Sequence, residues 1–149
     1  MKVIGIVGSR RRNSQEDYNQ AEKAFLEIYE KGDSLVSGGC PIGADRFAEI
    51  ISSKFNVHID IHYPDKTKLD PEKLPMNPKW AYAEINFARN TLIARDCDVL
   101  IAQVASDRKG GTEDTILKAQ IFKKKIILLV APSNKINSTN PTDTFDLFS

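Results

Sequence analysis

Apolar and polar residues alternate with two different periods along the chain. Four stretches repeat apolar residues every three or four positions, which predicts helices over residues 14–30, 44–51, 80–95 and 112–123. Five short runs rich in β-branched residues predict strands: VIGIVG (3–8), SLVSG (34–38), VHIDIHY (57–63), DVLIAQV (98–104) and KIILLVA (125–131). Strands that alternate with helices run parallel and are joined by right-handed crossovers. The pattern therefore predicts an open, doubly wound α/β sheet, mostly parallel and five-stranded, with helices on both faces.

The patterns of individual strands indicate their positions in the sheet. VIGIVG and IILLV are apolar on both faces, which is typical of central strands covered by helices. VHIDIHY alternates, with Val57, Ile59 and Ile61 facing inward, which is typical of an edge strand. These features favour the strand order 3-2-1-4-5, without excluding other orders. In such a sheet, ligands bind beyond the carboxyl ends of the strands, near the point between strands one and four where the order reverses.

Three turns rich in small residues are predicted to share that edge of the sheet. They read VGSRRRNS (7–14), SGGCPIGAD (37–45) and SDRKGGTED (106–114), and each precedes a predicted helix, with Ser14 as the N-cap of the first. Glycine lets a ligand approach the main chain, and the start of a helix offers unpaired N–H groups and the positive end of its dipole. We expect a cradle for phosphate or ribose here; the alternative is that these glycines only satisfy tight turns. The G-x-G-x-x-G fingerprint and the Walker lysine motif are absent, which disfavours a standard dinucleotide or P-loop site.

Composition limits the kind of partner. The 149 residues fit one domain, and 21 basic against 20 acidic residues give no global field that favours nucleic acid or a membrane, so any anion site must be local. Cys40 and Cys97 are expected to be thiols in a reducing, cytoplasmic compartment. His58 and His62 are separated by roughly 13 Å along a strand, too far to share a metal ion unaided, so we expect no metal site.

Two segments fall outside the predicted scaffold, which spans residues 1–131. Residues 64–79 contain four prolines and show no periodic spacing of apolar residues. This favours a long ordered loop, or a lid that covers the pocket, rather than a helix. The tail, residues 132–149, is polar up to its final TFDLF and is predicted to be flexible, with terminal apolar residues that can dock on the domain or on a neighbour. Trp80 and Phe87 are expected in the core, and the alternative is that they form a stacking platform.

Five short stretches carry a family resemblance. GSR after the first strand, SGGCPIGADRFAE, FARN, and DVLIAQV followed by GGTEDTILKA together resemble the SLOG superfamily of Rossmann-like proteins. That superfamily joins the DNA-processing protein A (Smf) group to the Lonely Guy phosphoribohydrolases. The similarity covers residues 2–131 and is greatest to the small, stand-alone YspA-like branch. It implies a Rossmann-like fold, a homo-oligomer and a pocket for a nucleotide or nucleotide-derived ligand.

The resemblance also implies which residues line that pocket. Three turns and one helix would contribute to it: Gly8, Ser9 and Arg10; Gly38, Gly39, Gly43 and Asp45; Arg89 and Asn90; Gly110, Gly111 and Thr112. An arginine fork pairs with phosphate, and an aspartate at a pocket edge accepts hydrogen bonds from ribose hydroxyls. The alternative for Arg10 is a solvated surface arginine, and Arg11 and Arg12 are expected to be solvated.

The enzymatic branch has a signature from which this sequence departs. Lonely Guy enzymes carry P-G-G-x-G-T-x-x-E, whose glutamate serves cleavage of an N-glycosidic bond, whereas here Thr115 stands three residues after Thr112. Glu113 and Glu84 are the remaining candidates for the acid. The leading hypothesis is therefore a cofactor-free module that binds or senses a nucleotide-derived molecule. One alternative is a nucleotide N-glycosidic hydrolase or transferase. The other is a single-stranded DNA binder, for which the nearly neutral net charge of the chain gives little support.

Overall fold

A six-stranded sheet forms the centre of the molecule. The computed structural model describes residues 1–131 and, for its backbone, one further strand at 145–148. The strands are β1 (Val3–Gly8), β2 (Ser34–Gly38), β3 (Ile59–His62), β4 (Val99–Gln103), β5 (Lys125–Leu129) and β6 (Phe145–Phe148). Five helices connect them: α1 (Gln15–Ile28), α2 (Ala44–Phe55), α3 (Lys73–Met76), α4 (Pro78–Asp96) and α5 (Gly111–Ile121).

The strand order confirms the predicted topology. The order is β3-β2-β1-β4-β5-β6, and the first five strands are parallel, with Ile4 of β1 opposite Leu35 of β2 and Val99 of β4. β3 is an edge strand, as its alternating pattern predicts. β6 pairs antiparallel with β5 and was not predicted as a strand. The rest of the predicted flexible tail, residues 132–144 and 149, lies outside the described residues.

Helices cover both faces of the sheet because the central strands present apolar side chains on both sides. Ile4 and Ile6 of β1 pack with α1 and α2, whereas Val7 packs on the opposite face with α4 and α5. On β4, Ile101 and Leu100 divide between the two clusters in the same way. The sheet is therefore enclosed on both faces, and ligands have access at the carboxyl ends of its strands.

The segment 64–79 contains more helix than its prolines predict. Lys66–Lys68 form a single 3₁₀ turn, and α3 is one turn long. Asn77 caps α4 by accepting a hydrogen bond from the Trp80 N–H at 3.2 Å, and Pro78 occupies the first turn, where no N–H is needed. Two of the four prolines thus lie in helices, one in the single turn of α3 and one in the first turn of α4.

The turn after β1 directs one arginine into the protein. Ser14 caps α1 as predicted, because its Oγ accepts from the Asp17 N–H at 3.1 Å while Asp17 accepts from the Ser14 N–H at 3.2 Å. Arg12, expected to be solvated, is only 4% exposed. Its Nη1 donates to the Leu129 carbonyl at 2.7 Å and to the Val104 carbonyl at 3.2 Å. The expectation for Arg12 is wrong because this turn aims its guanidinium at the carboxyl ends of β4 and β5.

Trp80 and Phe87 are 53% and 39% exposed, so the prediction that they belong to the core is wrong. Cys40 and Cys97 are free thiols, in agreement with the sequence. Within residues 1–131 and 145–148, no helix has both the length and the apolar character that a membrane crossing requires.

Candidate functional site

A cavity of about 570 Å³ opens beyond the carboxyl ends of the parallel strands. Its walls come from the turns after β1, β2 and β4, from Pro64 after β3, and from one side of α4. β1 and β4 are the neighbouring strands at which the order reverses. The cavity therefore lies at the position that the doubly wound topology predicts for a ligand.

The structure brings most of the predicted site residues together. Ten of the twelve line this one cavity: Gly8, Ser9, Arg10, Gly39, Asp45, Arg89, Asn90, Gly110, Gly111 and Thr112. Gly38 and Gly43 lie behind the wall. A Cβ at position 38 would be 2.5 Å from Arg89 Nη1 and 2.6 Å from Asp45 Oδ2, and one at position 43, where φ is +79°, would be 2.9 Å from the Ser9 carbonyl oxygen. These two glycines shape the wall but do not line it.

Positive charge is concentrated at the cavity. Arg10, Arg11, Arg89 and Lys109 line it, and Asp45 is the one carboxylate among the described residues that do. Arg11 is engaged by Asp107 through two hydrogen bonds of 2.9 and 2.7 Å. The Arg10 side chain, by contrast, makes no hydrogen bond or ion pair with any described residue. The cavity thus has cationic groups that are free to bind an anion, although the whole chain has a formal net charge of only +1.

Arg89 and Asn90 connect α4 to the other walls. Asn90 is 6% exposed; its Oδ1 accepts from Arg89 Nε at 3.0 Å, and its Nδ2 donates to Asp114 at 3.2 Å. Arg89 Nη1 lies 3.4 Å from the His62 carbonyl oxygen. These contacts hold the guanidinium at the cavity between β3 and α5.

Asp45 is a nearly buried carboxylate in the first turn of α2. It is 9% exposed, and its Oδ2 accepts from the Cys40 N–H at 3.2 Å. Its Oδ1 lies 3.2 Å from the Ser37 hydroxyl. Burial raises the pKa of Asp45, and the positive charge of Arg89 and these hydrogen bonds oppose the rise without cancelling it. A carboxylate in this position can accept hydrogen bonds from a bound hydroxyl.

The start of α5 is open to the cavity. Gly110, at the N-cap, has a φ of +123°, and no side chain caps the helix. A Cβ added at Gly110 or Gly111 would have no atom within 4 Å. The N–H groups of the first turn therefore adjoin free space, which is the geometry in which helix starts bind anions.

The two candidate catalytic glutamates lie elsewhere. Glu113 accepts hydrogen bonds of 2.9 and 2.8 Å from Arg108, and Glu84 forms an ion pair with Lys73. Neither borders the cavity. Thr115, which stands where the Lonely Guy signature has its glutamate, is buried on the cavity wall.

His58, just before β3, and His62, at the end of β3, contact different carboxylates. His58 lies 3.0 Å from Asp60, and His62 lies 2.7 Å from Asp96. Among the residues that the structure describes, no three histidine, cysteine or acidic side chains are placed to hold a metal ion together.

Sequence reasoning missed one wall of the cavity. Ala83, Asn86 and Phe87 on α4 line it together with Asn90, which was predicted. These positions lie on one face of a helix, because residues three, four and seven apart share a side. Their spacing relative to Asn90 was the available signal. Lys109 was also missed, although it directly precedes the glycine pair.

The fold and the cavity define a Rossmann-like domain with a cationic site at the reversal of strand order. The chain belongs to the SLOG cluster4 family, whose sequence model matches residues 1–148. The resemblance to the SLOG superfamily is thereby confirmed, while the YspA-like branch stays a prediction. Comparisons with curated proteins and with solved structures gave no match.

Proposed function

We propose that the cavity binds a nucleotide or a nucleotide-derived small molecule, with its phosphate at the start of α5. The observation that carries the proposal is the cationic lining: four basic side chains and one carboxylate border one cavity in a chain of almost neutral net charge. Such a lining favours an anion. Membership of the SLOG family supports a nucleotide as the source of that anion.

The phosphate position follows from the open helix start. Gly111 leaves room for an oxygen atom beside the main chain, and Lys109 and Arg10 border the same cavity. Main-chain N–H groups and an arginine fork are the donors that proteins use for phosphate. Asp45, near Arg89, would accept hydrogen bonds from the ribose hydroxyls. Of these groups, the Arg10 side chain has no hydrogen-bond or ion-pair partner among the described residues.

Binding is favoured over hydrolysis by the placement of the glutamates. A carboxylate that assists cleavage of an N-glycosidic bond must lie beside the bond, whereas Glu113 and Glu84 are held by Arg108 and Lys73 outside the cavity wall. We therefore propose a module that captures or senses its ligand. A homo-oligomer remains an implication of the family resemblance, and a cytoplasmic location remains a prediction from the sequence.

A ligand panel tests this function. Purified protein is titrated with nucleoside monophosphates, cyclic nucleotides, ADP-ribose and NAD, and binding is followed by calorimetry and by thermal shift. We expect at least one of them to stabilise the protein, and chromatography to find no released base. Release of base that Glu113→Gln or Glu84→Gln abolishes would establish the hydrolase instead.

A matched pair of arginine variants connects the binding to the cavity. We expect Arg10→Ala to weaken binding on the order of tenfold, through loss of a charge-assisted hydrogen bond. Arg46→Ala is the control, because Arg46 is 53% exposed on its side chain, lies 4.0 Å from Glu49 and does not line the cavity. Equal effects of the two variants, or no binding by any compound, would refute the proposed site.

A further inference from the structure

The cavity has a second wall whose chemistry differs from that of the phosphate side. Pro64, Ala83 and Phe87 contribute apolar surface there, and Asn86 contributes an amide. A phosphate gains nothing from apolar surface, so the proposed phosphate site leaves this wall unexplained. The wall therefore indicates a second, uncharged part of the ligand.

Phe87 is an exposed aromatic side chain with an ammonium group near its ring. It is 39% exposed, while Lys118 Nζ lies 5.5 Å from the centre of its ring and donates to its carbonyl at 2.8 Å. An ammonium group can occupy only one face of a ring. Phe87 is thus a partly exposed aromatic residue on the cavity wall, and a flat ring can stack on such a side chain.

Asn86 offers a hydrogen-bonding side chain on the same cavity. Its amide has no partner among the described residues, and it lines the cavity one position before Phe87. An asparagine amide presents a donor and an acceptor side by side, which matches the edge of a nucleobase and above all that of adenine. The wall combines a stacking surface with a group that can read a base edge.

The spacing of the two walls fits one ligand. Asn90 Nδ2 lies 3.4 Å from the Gly111 carbonyl oxygen, so Asn90 lies beside the start of α5. Asn86 precedes Asn90 by one helical turn, which places it about 6 Å away along α4. A single sugar ring spans a distance of this order. The phosphate side and the aromatic side are therefore within reach of one nucleotide.

We infer that Phe87 and Asn86 form a nucleobase subsite, so that the ligand is a nucleotide with its base intact and not a sugar phosphate. The inference rests on the proposed function, because the phosphate site orients the ligand. According to this inference, α4 selects between ligands, whereas the turns after β1 and β4 bind the anion.

Adenosine 5′-monophosphate and ribose 5-phosphate, titrated by calorimetry, separate the two proposals. They share the phosphate and the sugar and differ in the base. We expect the full chain to bind the nucleotide at least about tenfold more tightly, as one stacked base provides. If neither compound binds, the proposed function fails for this ligand class and the subsite fails with it. If both bind equally, the phosphate site stands and the subsite is refuted.

Variants of α4 locate the selection. Phe87→Leu keeps an apolar side chain but removes the ring, and we expect it to weaken binding of the nucleotide on the order of tenfold while binding of ribose 5-phosphate is unchanged. Tyr82→Leu is the control, because Tyr82 is 44% exposed on the same helix and does not line the cavity. Asn86→Ala should reduce the preference for adenosine over uridine 5′-monophosphate. An equal loss for both phosphates in Phe87→Leu, or an equal effect of Tyr82→Leu, would refute the subsite.

Discussion

The hydroxyl of Ser37 lies between two acceptors, the carbonyl of Ile6 and Oδ1 of Asp45. A hydroxyl has one hydrogen and cannot donate to both at once. Ser37 is fully buried and Asp45 nearly so, which makes an incompletely shared hydrogen bond costly. One of the two acceptors therefore lacks the Ser37 hydrogen at any moment.

We predict that Asp45→Asn is at least as stable as the parent protein at pH 7 but binds ligand more weakly. The amide oxygen can accept from the Cys40 N–H, and the amide N–H can donate to Ser37, which then donates to Ile6. A ribose hydroxyl loses its charged acceptor, which weakens binding on the order of tenfold. Urea unfolding and calorimetry measure the two effects.

The pH dependence of this variant gives a second readout. The pKa of Asp45 is raised above its ordinary value of 3.8 by burial, so the folded state binds a proton more tightly than the unfolded state. The contribution of Asp45 to stability therefore falls as the pH rises from 3.8 through the folded-state pKa. The free energy of unfolding of Asp45→Asn should exceed that of the parent by a margin that grows over this range. A variant less stable than the parent at pH 7 contradicts the prediction.

We predict that Gly111→Ala folds normally and loses its ligand. An added Cβ at Gly111 meets no atom of the protein, but it would occupy the space next to the first N–H groups of α5. The melting temperature should be unchanged, and binding of nucleoside monophosphates should weaken on the order of a hundredfold, as expected when several hydrogen bonds to phosphate are lost.

Gly43→Ala is the contrasting variant. It requires a positive φ of +79° and places a Cβ 2.9 Å from the Ser9 carbonyl oxygen, so we expect it to lower the free energy of unfolding by more than about 1 kcal/mol. Undiminished binding by Gly111→Ala would exclude the start of α5 as the phosphate site.

We predict that Arg12→Ala destabilises the fold by about 3 kcal/mol, because it leaves buried partners of the guanidinium unpaired. Those partners include the carbonyls of Val104 and Leu129 and the carboxylate of Asp17, 2.9 Å from Nη2. Urea denaturation measures the loss. Arg11→Ala should change stability little, since the Arg11 side chain is 57% exposed in its ion pair with Asp107. Similar effects of the two variants would show that burial does not distinguish these neighbours.

We predict that Asp33 supports stability at neutral pH and ceases to do so in acid. Burial raises its pKa, but hydrogen bonds from Lys2 and from the Glu30 N–H outweigh burial and bring the pKa to about 2. A lowered folded-state pKa gives stability that is present above the ordinary value of 3.8 and is lost as the pH falls through 2. Asp33→Asn should therefore cost about 2 kcal/mol at pH 7 and little at pH 2.

Asp60→Asn provides the control for this measurement. The Asp60 side chain is 68% exposed. Within the described part of the chain, its charged partner is His58, whose side chain is exposed as well. Its substitution should leave the stability curve unchanged. A difference between Asp33→Asn and the parent that does not narrow between pH 4 and pH 2 would contradict the assignment of the lowered pKa.

The strand order was predictable in part because it depends on which faces of each strand carry apolar residues, and this pattern is visible in the sequence. VIGIVG is apolar on both faces, which suits the central position that β1 takes between β2 and β4. IILLV has the same pattern although the predicted order places it at an edge, and β6, which was not predicted, pairs with it there. The turns after β1, β2 and β4 follow from the order, since parallel strands end at one edge. The three walls built by these turns were therefore accessible from sequence.

The features that could not be predicted depend on the directions of side chains, and only the folded chain sets these directions. Arg10, Arg11 and Arg12 are chemically identical, yet the turn after Ser9 places one at the cavity, one on Asp107 and one inside the protein. Phe87 resembles a core residue by type, but the helix turns it toward the cavity. Glu113 is engaged by Arg108, a partner that the sequence pattern does not reveal.

The uneven distribution of charge has a consequence for the size of the ligand. Four basic side chains and one acidic one lie at the cavity, and the whole chain has a formal net charge of +1, so acidic residues outnumber basic ones over the rest of the molecule. Beyond roughly 10 Å in physiological salt, an approaching charge no longer senses the cavity. A short anion is attracted at the mouth, whereas a long polyanion also meets the repelling remainder. If the cavity binds an anion as proposed, we expect it to attract short anions more strongly than long polyanions.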